Sequence, residues 1–254
     1  MATRYSNALP RDLRFEPTPK RIRALLGDTT VADTTQGVLV WEPERIVPVY
    51  GIPRADVEQA SLREEPDLRA ASHTAPLAAA WALAGPGPVR EHAAWRYEDP
   101  DLADFVVLDW KALDAWYEED ERVIAHPRDP FHRVDARRSS RHVRVELEGH
   151  VLADSRRPTL VFETGLPVRH YLPRTDVRTD LLEPSDKRTG CAYKGVAAYF
   201  SAALEGVDGR DVAWTYPDPL DDSAALRELV CFLGEKLDVI VDGHRLPRPS
   251  TQWS

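Results

Sequence analysis

The segment Arg188-Thr189-Gly190-Cys191-Ala192-Tyr193-Lys194-Gly195 sets a thiol, a phenol and an amine between two glycines, in a chain with only two cysteines. Thiolate is the reactive form of cysteine, and an ammonium close by favours it. Cys191 is therefore a candidate nucleophile, with Lys194 as its activator or as a nucleophile itself. In an extended strand, residues three apart point to opposite faces, so the two share a pocket only if the segment bends, as Gly190 and Gly195 permit. The alternative makes Cys191 a small buried hydrophobe and Lys194 a surface charge. Cys231, between Val230 and Phe232, reads as core.

Glu163 closes the apolar run Thr159-Leu160-Val161-Phe162, as Glu42 closes Val38-Leu39-Val40-Trp41. A carboxylate there is costly to bury unless it is paired or its pKa rises, and a raised pKa is what a general acid needs. An ion pair with an arginine would serve equally. Tyr171 and Tyr193 could orient a ligand or donate a proton, or could be buried phenols with bonded hydroxyls. Arg157 and Arg174 are candidates for gripping an anionic substrate. His126 and His132 flank a linker carrying Arg128 and Asp129, with Arg133 directly after it. One reading makes this loop a clamp that holds a carboxylate or phosphate over the Cys191 pocket, and the other makes it a joint fixed by ion pairs. The histidine spacing matches no common ligand motif, and no metal is expected. Glu235 is a minor candidate. Trp214 and Tyr216, mirrored by Trp95 and Tyr97, read as aromatic core.

These residues sit in an internal repeat. Thr30-Val31-Ala32-Asp33-Thr34 and the Val38 run recur as Val151-Leu152-Ala153-Asp154-Ser155 and the Thr159 run. Ile52-Pro53-Arg54-Ala55-Asp56-Val57 recurs as Leu172-Pro173-Arg174-Thr175-Asp176-Val177, and Ala94-Trp95-Arg96-Tyr97-Glu98-Asp99-Pro100 as Ala213-Trp214-Thr215-Tyr216-Pro217-Asp218-Pro219. Pro127 and Pro130 disfavour regular structure and mark the boundary, giving a first repeat over 1–129 and a second over 130–254. The first repeat offers only Ala71-Ser72-His73-Thr74-Ala75-Pro76-Leu77-Ala78 where the second has its thiol and amine, so a single reactive centre belongs to the second.

Alternation over His142 to Leu147 and the β-branched run from Thr159 predict strands, as does Val239 to Val241 ahead of the turn Asp242-Gly243. Gly195 to Leu204 also reads as strand. Helix is expected only over Ser223 to Leu229 and near Lys111 to Trp116. The class is mainly β, with two small domains packed as a pseudo-dimer so that each covers what the other leaves exposed.

Composition narrows the partners. A net charge of −9 argues against nucleic acid, which needs a concentrated basic surface. The arginines from Arg133 to Arg144 are the local exception, as an anion grip or a solvated salt-bridge network. No run of about 18 apolar residues would span a membrane, and the polar start, MATRYSNALPRDLRFEP, does not resemble a secretory signal. The chain is expected in the cytoplasm, with both cysteines as thiols.

As a set, several motifs resemble domain-of-unknown-function family 427 in its tandem bacterial form. They are His126-Pro127-Arg128-Asp129-Pro130-Phe131-His132-Arg133-Val134-Asp135, Ser139-Ser140-Arg141-His142-Val143, Leu152-Ala153-Asp154-Ser155, Tyr171-Leu172-Pro173-Arg174-Thr175-Asp176-Val177 and Cys191-Ala192-Tyr193-Lys194-Gly195. The last is the family's Cys-Pro-Tyr-Lys-Gly with alanine for proline. The resemblance implies a β-tent fold similar to methionine sulfoxide reductase B and to glutathione-dependent formaldehyde-activating enzymes, and no established activity. That fold often holds a zinc ion through cysteines. With two cysteines about forty residues apart in sequence, no structural zinc is expected here.

The function expected is a small-molecule enzyme acting on an anionic metabolite by hydrolysis, addition or isomerisation in one pocket of the second repeat. It would use Cys191 or Lys194 as nucleophile and Glu163 as acid or base, without a cofactor. The rival is a non-catalytic ligand-binding or interaction module. The family also carries a nucleotidyltransferase-like label, but neither a glycine-rich phosphate loop nor closely spaced metal carboxylates occur. The partner expected is a small molecule, and the chain is expected as a monomer or homodimer.

Overall fold

The computed structural model describes residues 11–69 and 73–251. These divide into two compact units at Asp129 and Pro130. The first unit contains β1 (Arg14–Pro17), β2 (Ile22–Leu26), β3 (Thr29–Thr34), β4 (Val38–Trp41), β5 (Val49–Pro53), β6 (Leu62–Glu65), β7 (Leu77–Leu83), β8 (Arg90–Tyr97), β9 (Phe105–Leu108), β10 (Ala115–Glu118) and β11 (Glu121–Arg122). The second contains β12 (Val134–Arg138), β13 (Val143–Leu147), β14 (His150–Ser155), β15 (Thr159–Glu163), β16 (Arg169–Pro173), β17 (Leu182–Cys191), β18 (Gly195–Ala202), β19 (Ala213–Thr215), β20 (Leu229–Phe232), β21 (Asp238–Val241) and β22 (His244–Arg245).

Each strand of the first unit has its counterpart eleven strands later. The large sheets run β1-β4-β5-β9-β8-β7-β6 and β12-β15-β16-β20-β19-β18-β17, and the small ones β11-β10-β2-β3 and β22-β21-β13-β14. Even the irregularities repeat. Register shifts between Ala24 and Leu25 on β2, and between Val145 and Glu146 on β13. The chain is mainly β and built as two similar halves.

Alternation builds two cores on the large sheet of the second unit. Leu172, Val230 and Phe232 face the small sheet and join Val143, Val145 and Leu147. Their neighbours Tyr171 and Cys231 face the other way, with Val161, Ala197, Tyr216 and Leu226. The first unit repeats this with Ile52 and Leu108 on one face and Val40 and Val107 on the other. Burying both faces requires strands with apolar residues at successive positions, as the run ending at Trp41 supplies.

The two expected helices are shorter than the sequence suggests. They are 3-10 turns over Asp221–Leu226 and Trp110–Ala112, with β20 and β10 starting soon after. A helix running to Trp116 would remove that side chain from β10, where it lies opposite Ala24 and is buried. Sheet completion outweighs the propensity of so short a segment. Among the described residues, no helix is long and apolar enough to cross a membrane.

Candidate functional site

On the second core's face, Glu163 closes β15 opposite Val134, the first residue of β12. That pairing carries the approaching chain alongside, and His132 reaches Glu163 Oε1 through Nε2 at 3.2 Å. The other oxygen, Oε2, accepts from Lys194 Nζ at 2.6 Å. The side chains of Glu163 and Lys194 are each 7% exposed, so water does little of the solvation and the two partners do most of it. Burial pushes the Glu163 carboxyl upward, but the His132 hydrogen bond and the Lys194 charge outweigh it and hold the group below the ordinary carboxylate range. Glu163 is therefore an anion, and the raised pKa of a general acid is absent. A carboxylate only accepts hydrogen bonds, so His132 donates to Glu163 from Nε2, and Nδ1 is the ring nitrogen turned away from it.

Lys194 turns inward because its hairpin is clamped. Lys194 N donates to Cys191 O at 3.3 Å, and Leu220 N donates to Lys194 O at 3.2 Å. Ser223 Oγ donates to Tyr193 O at 3.0 Å. Gly195 has φ of +102°, and a Cβ there would lie 3.1 Å from Asp218 O, so this position needs glycine. Gly190 stays in the ladder opposite Val196. The tight turn thus supplies the expected bend, and Tyr193 stacks on His132 with ring centroids 4.5 Å apart.

Cys191 is half-buried and packs against the second core. Burial, and then the neighbouring Cys191 and Glu163, raise the Tyr216 phenol far above its usual value. Tyr216 is thus a neutral wall beside both groups. Tyr171 is buried, accepts from Trp214 Nε1 at 3.1 Å, and is raised chiefly by burial. It is a packed phenol with a bonded hydroxyl. Cys231 is fully buried, and burial pushes its thiol up to about 12, as suits a core residue.

The remaining sequence candidates are engaged elsewhere. Arg157 holds Asp176 at 2.7 Å and Thr175 at 2.8 Å on the surface. Arg174 is exposed, with its guanidinium 5.9 Å from the Phe200 ring centroid. His126 and Arg128 belong to the first unit, where His126 Nδ1 lies 2.7 Å from Pro127 O and the Arg128 charge acts on Tyr50. Glu235 forms a buried two-bond ion pair with Arg169, both contacts 2.7 Å. Sequence reasoning placed His132 in a linker clamp and Tyr216 in the core, and missed that both border Glu163. The signal was present in Val134, whose strand must pair somewhere on the large sheet.

The first unit solves the same burial differently. Glu42, 1% exposed, takes Arg45 Nη1 at 3.0 Å and the Tyr97 hydroxyl. Tyr97 is the counterpart of Tyr216. Of the first-unit segment aligned with the Cys191 turn, Ala71 and Ser72 lie outside the described residues. Among the described residues, no group of three His, Cys, Asp or Glu side chains is placed to hold a metal.

A sequence model of the domain of unknown function DUF427 matches residues 14–119 and 135–243, once in each unit. The chain belongs to this family. No curated protein matches it.

Proposed function

We propose that this member of the family is a small-molecule enzyme with one proton-transfer site, in its second unit. His132 Nδ1 is the base, Glu163 orients and charges the imidazole, and Lys194 keeps Glu163 ionised. Cys191 is the thiol at the edge of the site. Hydrolysis, addition and isomerisation all require a proton to be moved, and a carboxylate-oriented imidazole does that near neutral pH. The observation that supports this reading is the ionised, buried Glu163 bridging His132 and Lys194.

Proton abstraction can be followed without knowing the complete reaction. A panel of small metabolites in deuterated buffer, observed by NMR, should show for at least one compound either solvent deuterium entering at carbon, as addition or isomerisation gives, or conversion to a new product, as hydrolysis gives. His132→Gln, which keeps an N–H donor for Glu163, should slow that exchange or conversion about a hundredfold or more, with the folded fraction checked by thermal melt. If no compound exchanges or is converted faster than in buffer, and iodoacetamide labels Cys191 no faster than Cys231 across about pH 5 to 9, the enzyme reading falls.

One observation favours a second reading, a non-catalytic binding or interaction module. Glu42 is buried at the same strand position, where Arg45 and Tyr97 are its side-chain partners among the described residues, so a carboxylate there can be purely structural. On that reading Glu163→Gln changes stability and nothing else.

A further inference from the structure

A cavity of about 240 Å³ opens in the second unit on the other face of β15, β16 and β20 from Glu163. Its apolar walls are Val145, Leu160, Phe162, Phe232, Val239 and Leu246. Three arginines also line it, Arg141, Arg169 and Arg248, together with His170.

The first unit shows what this space is shaped for. Tyr50 is the second residue of β5 as His170 is of β16. Trp116 faces Ala24 across the ladder as Val239 faces Val145. Trp110 and Gly234 each lie two residues beyond the equivalent strands β9 and β20. In the first unit the three aromatics fill the site. Trp110 and Trp116 stack at 5.3 Å with 6° between their planes, and Tyr50 lies 5.3 Å from Trp116. The second unit has an imidazole, an isopropyl group and a hydrogen at those positions. The bulk of two indoles is gone, and an opening lined by the same sheets takes its place. A dry cavity of about 150 Å³ takes up benzene, so this one has room for a bicyclic ring.

The polar groups indicate what the ring carries. The His170 side chain makes no hydrogen bond to the described residues, and burial followed by the Arg141 and Arg169 charges brings its pKa down to about 4. Three guanidinium groups, those of Arg141, Arg169 and Arg248, give the lining its positive charge. Arg169 is committed to Glu235, whereas Arg141 meets Asp242 through Nε at 2.8 Å, and a guanidinium has further donors on its terminal nitrogens.

We infer that this cavity binds a planar bicyclic aromatic carboxylate. The ring lies between Val145, Val239 and Phe232, in the space that Trp110 and Trp116 fill in the first unit, and the carboxylate lies at Arg141. This site is on the opposite sheet face from Glu163 and does not depend on the proton-transfer reading.

The probes are indole-3-acetate and indole, titrated into the full chain by calorimetry and ligand-observed NMR. Indole-3-acetate should bind one to one, and indole about tenfold more weakly for lack of the charged contact. Gly234→Trp restores the first unit's ring and should abolish binding. A Cβ at Gly234 meets Val239 no closer than 3.5 Å, so the fold should hold, with Val239→Phe as a second plug if the melt shows otherwise. Trp253→Ala is measured alongside, because Trp253 lies outside the described residues. Binding unchanged in both plugged variants, no saturable binding at millimolar probe, or binding seen only in Trp253→Ala would each overturn the inference, the last by making the chain's own tail the occupant.

Discussion

Glu42 and Glu163 occupy one position in two copies of the same fold, and each copy buries its carboxylate by different means. Glu42 is answered locally by Arg45, three residues on, and by Tyr97 at the end of β8. Glu163 is answered by His132, thirty-one residues earlier, and by Lys194, thirty-one residues later. The first arrangement uses a guanidinium that does not titrate in the physiological range. The second uses an imidazole and brings a half-buried thiol into the same core. On the opposite sheet face the contrast recurs, with stacked rings in one unit and a cavity beside His170 in the other. Once a duplicated domain has one copy that is filled and internally neutralised, the other can depart from that solution while the architecture stays fixed.

The largest test of this contrast is removal of the cation. Lys194→Met should cost about 3 to 5 kcal/mol, because it leaves a buried carboxylate with one partner. Arg45→Met should cost about 1 to 2 kcal/mol, since Tyr97 still donates and Arg45 is 27% exposed. Urea unfolding of both variants checks this, and equal losses would erase the distinction between the units. Next in size is the pH response of His170. Its pKa is about 4 in the folded chain and 6.5 in the reference state. Between those values the unfolded chain binds the extra proton, so stability falls as pH drops through that window. The full loss is about 3 kcal/mol. Above about pH 6.5 the contribution is complete, and His170→Phe should flatten this part of the profile. Smallest is Arg157→Ala. Arg157 is 65% exposed, though Asp176 is only 15% exposed, and loss of the pair should cost at most about 1 kcal/mol and leave Cys191 labelling unchanged. A change in labelling would reinstate Arg157 beside the reactive centre.

Much of the architecture was legible because both copies repeat the same alternation and turn residues, so weak signals such as Thr159 to Phe162 were read twice. The companions of Glu163 were harder to see. Contacts thirty-one residues apart depend on which strands neighbour each other, and the direction of Lys194 depends on Ser223 and Leu220 clamping its turn. His132 looked like linker because its partner strand was unknown. The cavity was recoverable in principle. Aligning the repeats sets Tyr50 against His170, Trp110 against Gly234 and Trp116 against Val239, and two tryptophans answered by glycine and valine mark a change in volume.

The matched strand order has a consequence for folding. Two neighbouring segments that specify the same sheet can exchange strands while the chain is still collapsing, and tandem domains are prone to such misassembly. β4 placed in the second unit would set Trp41 where Phe162 belongs and would carry Arg45 into a site whose carboxylate Lys194 already neutralises. β16 placed in the first would set His170 and Arg169 among the tryptophans. Each mispairing strands a buried charge or leaves a void, so divergence between the copies also acts as proofreading, making the correct sheet the one in which every carboxylate finds its own partner.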